Sequence, residues 1–291
     1  MMKLVTTPSG HRFLMVWRTE FLFYTPERRR LADEWNQVRF TSARPPEKPS
    51  LINHSLDKPL PLANESFDAI YSFHVAEHLS PRANDRFIRD VHRLLKPDGI
   101  YRASTPDLEL LATDYLQRLH EQMAFASTEN YARYRWAVCN LIDQCTREVS
   151  GGEMLEAIHR GEFTPEHVKQ VNGDLLNFLF PSTAPARPAR LLSIESLKNP
   201  AVLLRKLPKA ILRRLRPRLS PKSYLELTHE RNLWLFDRIS LGRLFSEAGF
   251  QSVAAMDHRT SRIAEWKRYN FDESAFGHYP LEPSIYMEGI K

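Results

Sequence analysis

Glycine is scarce in this chain, with ten among 291 residues, at positions 10, 99, 151, 152, 161, 173, 242, 249, 277 and 289. No G-x-G occurs, and no G-x-x-x-x-G-K-[ST] run either. That excludes a phosphate-cradling P-loop and the usual glycine fingerprint of a dinucleotide site, both of which need backbone amides to approach a ligand closely. Cysteine is scarcer still. Cys139 and Cys145 stand six positions apart and match neither a zinc-ligand spacing nor a C-x-x-C redox pair, so they read as thiols in a reducing compartment. No apolar run approaches the roughly 18 residues that would span a bilayer, and the start lacks the layout of a signal peptide. The expected location is the cytoplasm. Acidic residues are missing from one stretch: Arg187 to Lys222 holds eleven Lys or Arg against Glu195 alone, a local +10. The chain's net +6 therefore leaves 6 − 10 = −4 for everything else, and the basic character is one patch.

What is present is most legible from Leu60 to Pro106. Phe67 to Ser72 is an apolar, β-branched and aromatic run behind the turn-like Ala63-Asn64-Glu65-Ser66, which predicts a buried strand. Ser80 supplies an N-cap oxygen, and Pro81 suits the first helical position, where its missing N–H costs nothing. Phe87, Ile88, Val91, Leu94 and Leu95 then form one apolar stripe of a helix. Pro97 stops it, Asp98-Gly99 turns the chain, and Ile100 to Ser104 is the next strand.

Strand, helix and strand imply a parallel pair with a right-handed crossover, hence an open α/β sheet with helices on its faces. Ligands of such sheets bind at the carboxyl ends of the strands. Those ends are Tyr71-Ser72-Phe73-His74 and Ser104-Thr105-Pro106-Asp107. Glu77 and His78 follow the first, so two imidazoles and a carboxylate gather at one strand mouth. They are either reactive groups or histidines that simply bond to nearby backbone.

At these residues the sequence resembles a known family. PLPLANESFDAIYSFHVAEHL, followed by RFIRDVHRLLKPDGIYRASTPDLE, is similar to the middle of class I S-adenosylmethionine-dependent methyltransferases. The likeness is strongest to the type 11-like bacterial subgroup reading HDL, PLPF, SFD, YSSHVLEHL, LKPGG and PDL. Asp143-Gln144, Arg147-Glu148 and Gly151-Gly152-Glu153-Met154 resemble the subgroup's DQ, RE and GGEM. Trp234 to Arg238, Ala248-Gly249-Phe250 and Pro283 to Glu288 resemble its tail. The resemblance implies S-adenosylmethionine as cofactor, bordered by Ser55, Leu56, Ser72, Phe73 and His74. His74 or His78 would be the base, and the acceptor a small molecule or saccharide. It also implies a Rossmann-like, mostly parallel sheet with helices on both faces, an antiparallel edge strand and a helical insertion.

Three positions depart from the family. His11 to Trp17 suits the first strand, but Met15 to Glu20 stands where the glycine-rich turn belongs. The best second strand, Trp35 to Phe40, puts Arg39 at the expected ribose-binding acid. The aspartate of HDL falls at Ser55, which can hydrogen-bond but carries no charge. Each lost contact is worth ~1 to 3 kcal/mol, so together they would cost several powers of ten in cofactor affinity. Two readings follow: a methyltransferase, or a catalytically inactive protein that keeps the fold as a scaffold or a peripheral membrane-binding surface.

The remaining segments set the expected domains. Residues 1–110 hold the first part of the core, with 1–48 atypical. Residues 111–180 form a helical cover over the site. Leu108, Leu111, Tyr115, Leu116 and Leu119 share one face of a helix that leads into it, capped near Asp107, and a second helix over Ala132 to Val149 carries Trp136, Cys139 and Ile142; these stripes read as core packing or as the floor of a substrate pocket. Residues 181–225 are a basic amphipathic insertion, whose leucines and cations over Asn199 to Arg218 suit an anionic membrane surface. Nucleic acid is not expected there, since no aromatics stand between Leu191 and Leu219 to stack on bases. Residues 226–291 complete the core, with Arg238 to Glu247 helical and Ser252 to Met256 and Ser284 to Ile290 as paired antiparallel strands.

Overall fold

The computed structural model describes residues 2–6, 12–17, 51–52, 56, 58–149, 151–173, 231–264, 266–269, 272 and 284–291. Within them runs one seven-stranded sheet. Its elements in chain order are β1 (Met2–Thr6), β2 (Arg12–Trp17), β3 (Leu51–Ile52), β4 (Phe67–Phe73), α1 (Pro81–Leu94) and β5 (Leu95–Pro106). Then follow α2 (Leu108–Ala124), α3 (Thr128–Val138), α4 (Gly152–His159), α5 (Pro165–Asn172), α6 (Arg238–Glu247), β6 (Gln251–Met256), α7 (Trp266–Tyr269) and β7 (Ser284–Ile290). The strand order is β3-β1-β2-β4-β5-β7-β6. β2, β4 and β5 pair in parallel, while β1 with β2 and β3, and β7 with β5 and β6, pair antiparallel. Only β1 and β7 therefore run against the common direction. This is the expected Rossmann-like α/β sheet, and its last two strands pair antiparallel at the edge.

The other edge differs from the expected layout. Beside β2 lies β1, antiparallel in register from Met2 opposite Val16 to Thr6 opposite Arg12. Trp35 to Phe40, with Arg39, lies outside the described residues, as do Pro26 to Trp35 and the whole basic stretch 187–222.

The α1 signals act as read. The Ser80 hydroxyl accepts from the Ala83 N–H at 3.3 Å with Pro81 at the helix start, and Phe87, Ile88, Val91 and Leu94 are buried. Leu95 is the exception, for it already belongs to β5, pairing with Phe67 ahead of an irregularity in the ladder. Asp98, at φ 62°, makes the turn inside that irregularity, where Gly99 O accepts from the Lys291 N–H at 2.9 Å.

Alternation along the strands gives the sheet two different faces. On one, Ile70, Tyr101, Ala103, Ile285 and Met287 join α1 and α6 in the main core. Tyr101 stacks on Phe245 with centroids 4.8 Å apart. On the other face sits Arg102, fully buried beneath α7. Its Nε and Nη2 reach Asp272 at 2.8 and 2.7 Å, and Nη1 reaches Glu288 at 2.8 Å. The remaining N–H groups donate to Thr260 O and Asp257 O. The guanidinium lies 4.7 Å from the Trp266 ring centroid and 5.1 Å from that of Tyr286. Burial alone would lower its pKa, but Asp272 and Glu288 together raise it. Tyr71 donates to the other Asp272 oxygen at 2.5 Å.

The helices after β5 behave differently from their sequence pattern. α2 is capped by Asp107 as expected, yet none of its residues is fully buried and Leu116 is 50% exposed. Its leucine stripe is not a core face. α3 begins at Thr128 under a Ser127 cap, and the helix widens into a π turn at Cys139–Asp143 before one further α turn at Gln144–Thr146. That widening rotates Ile142 outward to 48% exposure, while Trp136 and Cys139 join Met154, Ala157, Ile158, Phe163 and Val168 in a second core. The Asp143 carboxylate pairs with Arg147 at 2.8 Å and accepts from the Glu153 N–H at 2.8 Å. It lies so close over Gly152, at φ 53°, that a Cβ there would stand 2.4 Å from Oδ1.

Replacing Arg102 by Ala should lower unfolding free energy by ~3 to 5 kcal/mol, because two fully buried carboxylates lose their counter-charge. Replacing Arg89, whose pair with Asp85 is about half exposed, should leave the urea midpoint unchanged. Similar midpoints for the two variants would show that the Arg102 network carries no special stability.

Candidate functional site

The carboxyl end of β4 is where the chain leaves regular structure. His74 follows Phe73 and takes φ 48°, a left-handed backbone that costs a non-glycine residue ~1 to 2 kcal/mol. Its N–H still donates to Ser104 O at 2.9 Å, so the turn is anchored on β5. Asn84 of α1 braces the next turn, Ala76–His78, by donating from Nδ2 to Ala76 O at 2.7 Å and Leu79 O at 3.2 Å.

These constraints put Glu77 at the centre. Its side chain is 1% exposed, with Oε1 3.0 Å from His74 Nδ1 and 3.8 Å from His78 Nε2. Its Oε2 accepts from the Thr105 hydroxyl at 3.0 Å. Its backbone O accepts from the N–H groups of Leu233 and Trp234 at 2.6 and 3.1 Å. Burial drives the Glu77 carboxyl pKa upward, but His74 and His78 outweigh it and hold the group below its ordinary value. Glu77 is thus an anion at neutral pH.

The two imidazoles differ in what else they touch. His78 Nδ1 is 3.1 Å from Arg231 O, a group that can only accept, so Nδ1 carries a proton there. His74 Nε2 is instead 2.9 Å from the Ser284 hydroxyl at the start of β7, which can donate or accept. The Phe73 ring, itself buried, lies 4.5 Å from the His74 ring.

Of the expected cofactor-bordering residues, His74 and Phe73 stand together at this mouth. The Ser72 hydroxyl points to the opposite face of the sheet and bonds Tyr101 OH at 2.9 Å. Leu56 is partly buried against the main core, and Ser55 lies outside the described residues. Ser104 Oγ is buried at the end of β5 and meets no hydrogen-bond partner among the described residues. A small cleft beside that end is lined by Pro106, Leu110, Leu111, Asp114, Gln144, Val171 and Asn172. The sequence pattern missed Ser284 and Thr105. Thr105 stood within the recognised strand mouth Ser104 to Asp107 but was given no role, whereas Ser284 is 210 positions from His74 and carries no local signal.

The lowered Glu77 pKa sets a stability window. A group depressed in the folded state contributes stability above its unfolded value, near 4.5, and loses that contribution as pH falls through the folded value. The stability difference between wild type and Glu77→Gln should therefore shrink as pH falls below the ordinary value of 4.5. Paired thermal melts from pH 6 downward measure it, and a difference that stays constant would contradict the assignment.

Among known proteins, one segment of the chain matches a family and several solved structures show a remote likeness. Residues 36–103 match the family described as Methyltransferase domain. No curated protein matches the chain. Among solved structures, a protein from Pyrococcus horikoshii OT3 is 23% identical, with TM-score 0.22, over 34% of this chain and 39% of its own. The YcgJ protein of Bacillus subtilis is 19% identical, with TM-score 0.22, over 50% and 62%. A Rickettsia typhi protein solved in complex with AdoHcy is 12% identical, with TM-score 0.24, over 77% and 36%. The chain thus spans less than two thirds of each of these. The matched segment runs through β4, α1 and most of β5, the units that build the mouth around His74 and Glu77, and over that segment the chain is similar to a methyltransferase domain.

Proposed function

We propose that the protein transfers a methyl group from S-adenosylmethionine to a small-molecule or saccharide-type acceptor at the carboxyl ends of β4 and β5. The observation that carries this is the placement of His74, fixed by a buried carboxylate, at the strand mouth inside the family-matched segment. The residues there fit the cofactor. Ser104 offers an unspent buried hydroxyl, and Phe73 a wall of apolar surface next to His74. With Ser55, Leu56 and Ser72 they would hold the cofactor, although Ser72 would have to share a hydroxyl already bonded to Tyr101.

The cofactor supplies an activated methyl on a sulfonium, open to in-line displacement. The chain's task is then alignment, plus a base where the acceptor is a weakly acidic hydroxyl. His74 fills that role better than His78, since the Nδ1 of His78 is spent on Arg231 O while its Nε2 faces Glu77. His74 Nε2 faces a hydroxyl.

The absence of any G-x-G in the chain favours a second reading, a methyltransferase-shaped scaffold without activity. Calorimetry separates the two. Micromolar binding of S-adenosylhomocysteine is expected for the enzyme, whereas no heat at millimolar ligand would overturn it. With labelled donor, methylation should vanish in the His74→Ala/His78→Ala double variant; if it persists, neither imidazole is the base.

The basic stretch from Arg187 to Lys222 adds a place of work under this reading. Each Lys or Arg near an anionic bilayer contributes ~1 kcal/mol before screening, and the interleaved leucines add apolar insertion. Binding to anionic vesicles should weaken from low to physiological salt. Changing Arg205, Lys206, Arg213 and Arg214 together to Glu should abolish it with little change in melting temperature. Equal co-sedimentation of wild type and variant would end the idea.

A further inference from the structure

We infer that the strap from Arg231 to Phe236 carries an acceptor subsite, with Trp234 as a stacking platform and Gln144 as a hydroxyl-binding amide for a hexopyranose ring. The inference deepens the methyl-transfer reading by naming the substrate class, and rests on it for its purpose, though not for its binding chemistry. The strap is short but fixed at most of its residues. Asn232 donates from its N–H to Gln144 O at 2.8 Å and from Nδ2 to Gln144 Oε1 at 3.4 Å. The N–H groups of Leu233 and Trp234 share Glu77 O, the Leu108 N–H donates to Phe236 O at 2.8 Å, and Phe236 forms a parallel bridge with Asp107. Asn232 and Phe236 are buried, yet Leu233 and Trp234 between them are 48% and 50% exposed.

Tryptophan is on average a well-buried residue. Here its backbone is tied to the carbonyl of Glu77, at the edge of the candidate site, while half of its surface stays in water. Among the described residues the Trp234 indole makes no ring contact and its Nε1–H no hydrogen bond. An indole on a fixed backbone offers a broad apolar face, one polar handle and little conformational entropy left to lose. Gln144, bonded to Asn232 through both of its oxygens, keeps its Nε2 protons unspent. It also lines the cleft at the end of β5, beside Leu110, Leu111 and Asp114, and Asp114 has committed only Oδ1, to Arg118. That cleft measures about 30 Å³, room for a group the size of one or two waters. Trp234 is two residues from Asn232, so its Cα lies within about 7 Å of the residue that bonds Gln144. A bare apolar platform would suit any aromatic or acyl ligand, but an amide donor next to a carboxylate acceptor calls for hydroxyls, and a ligand carboxylate would meet Asp114 with like charge. A hexopyranose meets all three demands: its C–H face covers the indole, its ring hydroxyls reach Gln144, and its hydroxymethyl arm matches the cleft in size.

Proton–nitrogen correlation spectra of the full ¹⁵N-labelled chain test the site when it is titrated with the methyl glycosides of glucopyranose, mannopyranose, galactopyranose and xylopyranose. The chain holds five tryptophans, and Trp234→Phe identifies the Trp234 indole signal by its loss. At least one hexoside should shift that signal. The xyloside, which lacks the hydroxymethyl arm, should bind about tenfold more weakly, and so should the hexoside to Gln144→Leu, each having lost one hydrogen bond. Saturation transfer from protein to hexoside should weaken in Trp234→Phe, which keeps an aromatic face, and vanish in Trp234→Ala. The melting temperature should change little in either, since half of the indole is already in water. No indole shift with any hexoside, an equal response to the xyloside, or saturation transfer that survives Trp234→Ala would overturn the inference. Calorimetry of the same wild-type sample with S-adenosylhomocysteine separates the two levels: glycoside binding without nucleoside heat sinks methyl transfer alone, and nucleoside heat without a glycoside response sinks the subsite alone.

Discussion

One buried guanidinium fixes the geometry on which the rest depends. Every N–H of Arg102 is engaged, by two carboxylates and by two carbonyls of the chain that follows β6. Its partner Glu288 stands opposite it across the β5 and β7 ladder, in the register that places Ser284 opposite Pro106. Sliding β7 by one residue would turn Glu288 to the other face, where it would meet the apolar core packed under α1 and α6, and would leave Arg102 half paired. The ion pair therefore excludes that slip. Because Ser284 is the first residue of β7, the same register brings its hydroxyl to His74. A contact far below the strand mouth thus determines which hydroxyl the imidazole meets.

The protein keeps its two groups of buried carboxylates chemically apart. Asp272 and Glu288 face a guanidinium, which never releases its proton near neutrality, so this group is framework. Glu77 faces imidazoles, whose charge can change in the physiological range. This difference in partner, more than burial or position, separates the β4 mouth from the framework on the far face.

How much of this was legible in the sequence depends on the reach of each interaction. The Ser80-Pro81 start of α1 and its Phe87 to Leu94 stripe act within a few turns of one helix, and they were read correctly. So was the α6, β6 and β7 tail, where a glycine stop separates a helix from alternating strands. Leu95 misled because the α1 stripe runs directly into β5 without an intervening loop. The α2 stripe misled because spacing shows that Leu111, Tyr115 and Leu119 share a face but does not say whether another element covers it. Ile142 left its expected core because the π turn adds a residue to the helix, which no periodicity of 3.6 can register. Arg102 was invisible for a different reason: a charged residue inside an apolar strand reads as an interruption until its partners, 170 and 186 positions away, are seen.

The candidate site follows the same rule. His74, Glu77 and His78 are close in sequence, so their meeting could be read from the strand end alone, and Thr105 lies within the second recognised strand mouth. What spacing could not supply was the role of each. The +48° backbone of His74 turns its ring back over the strand end, and that single dihedral gives one imidazole a hydroxyl while its neighbour at position 78 meets a carbonyl. A left-handed histidine persists only where its surroundings over-determine it. Here the bond to Ser104 O, the carboxylate of Glu77 and the hydroxyl of Ser284 each fix a different part of the residue. The strain is thus held from β5, from the turn after β4 and from β7 together, so the His74 ring is aimed by the sheet itself rather than by a flexible loop.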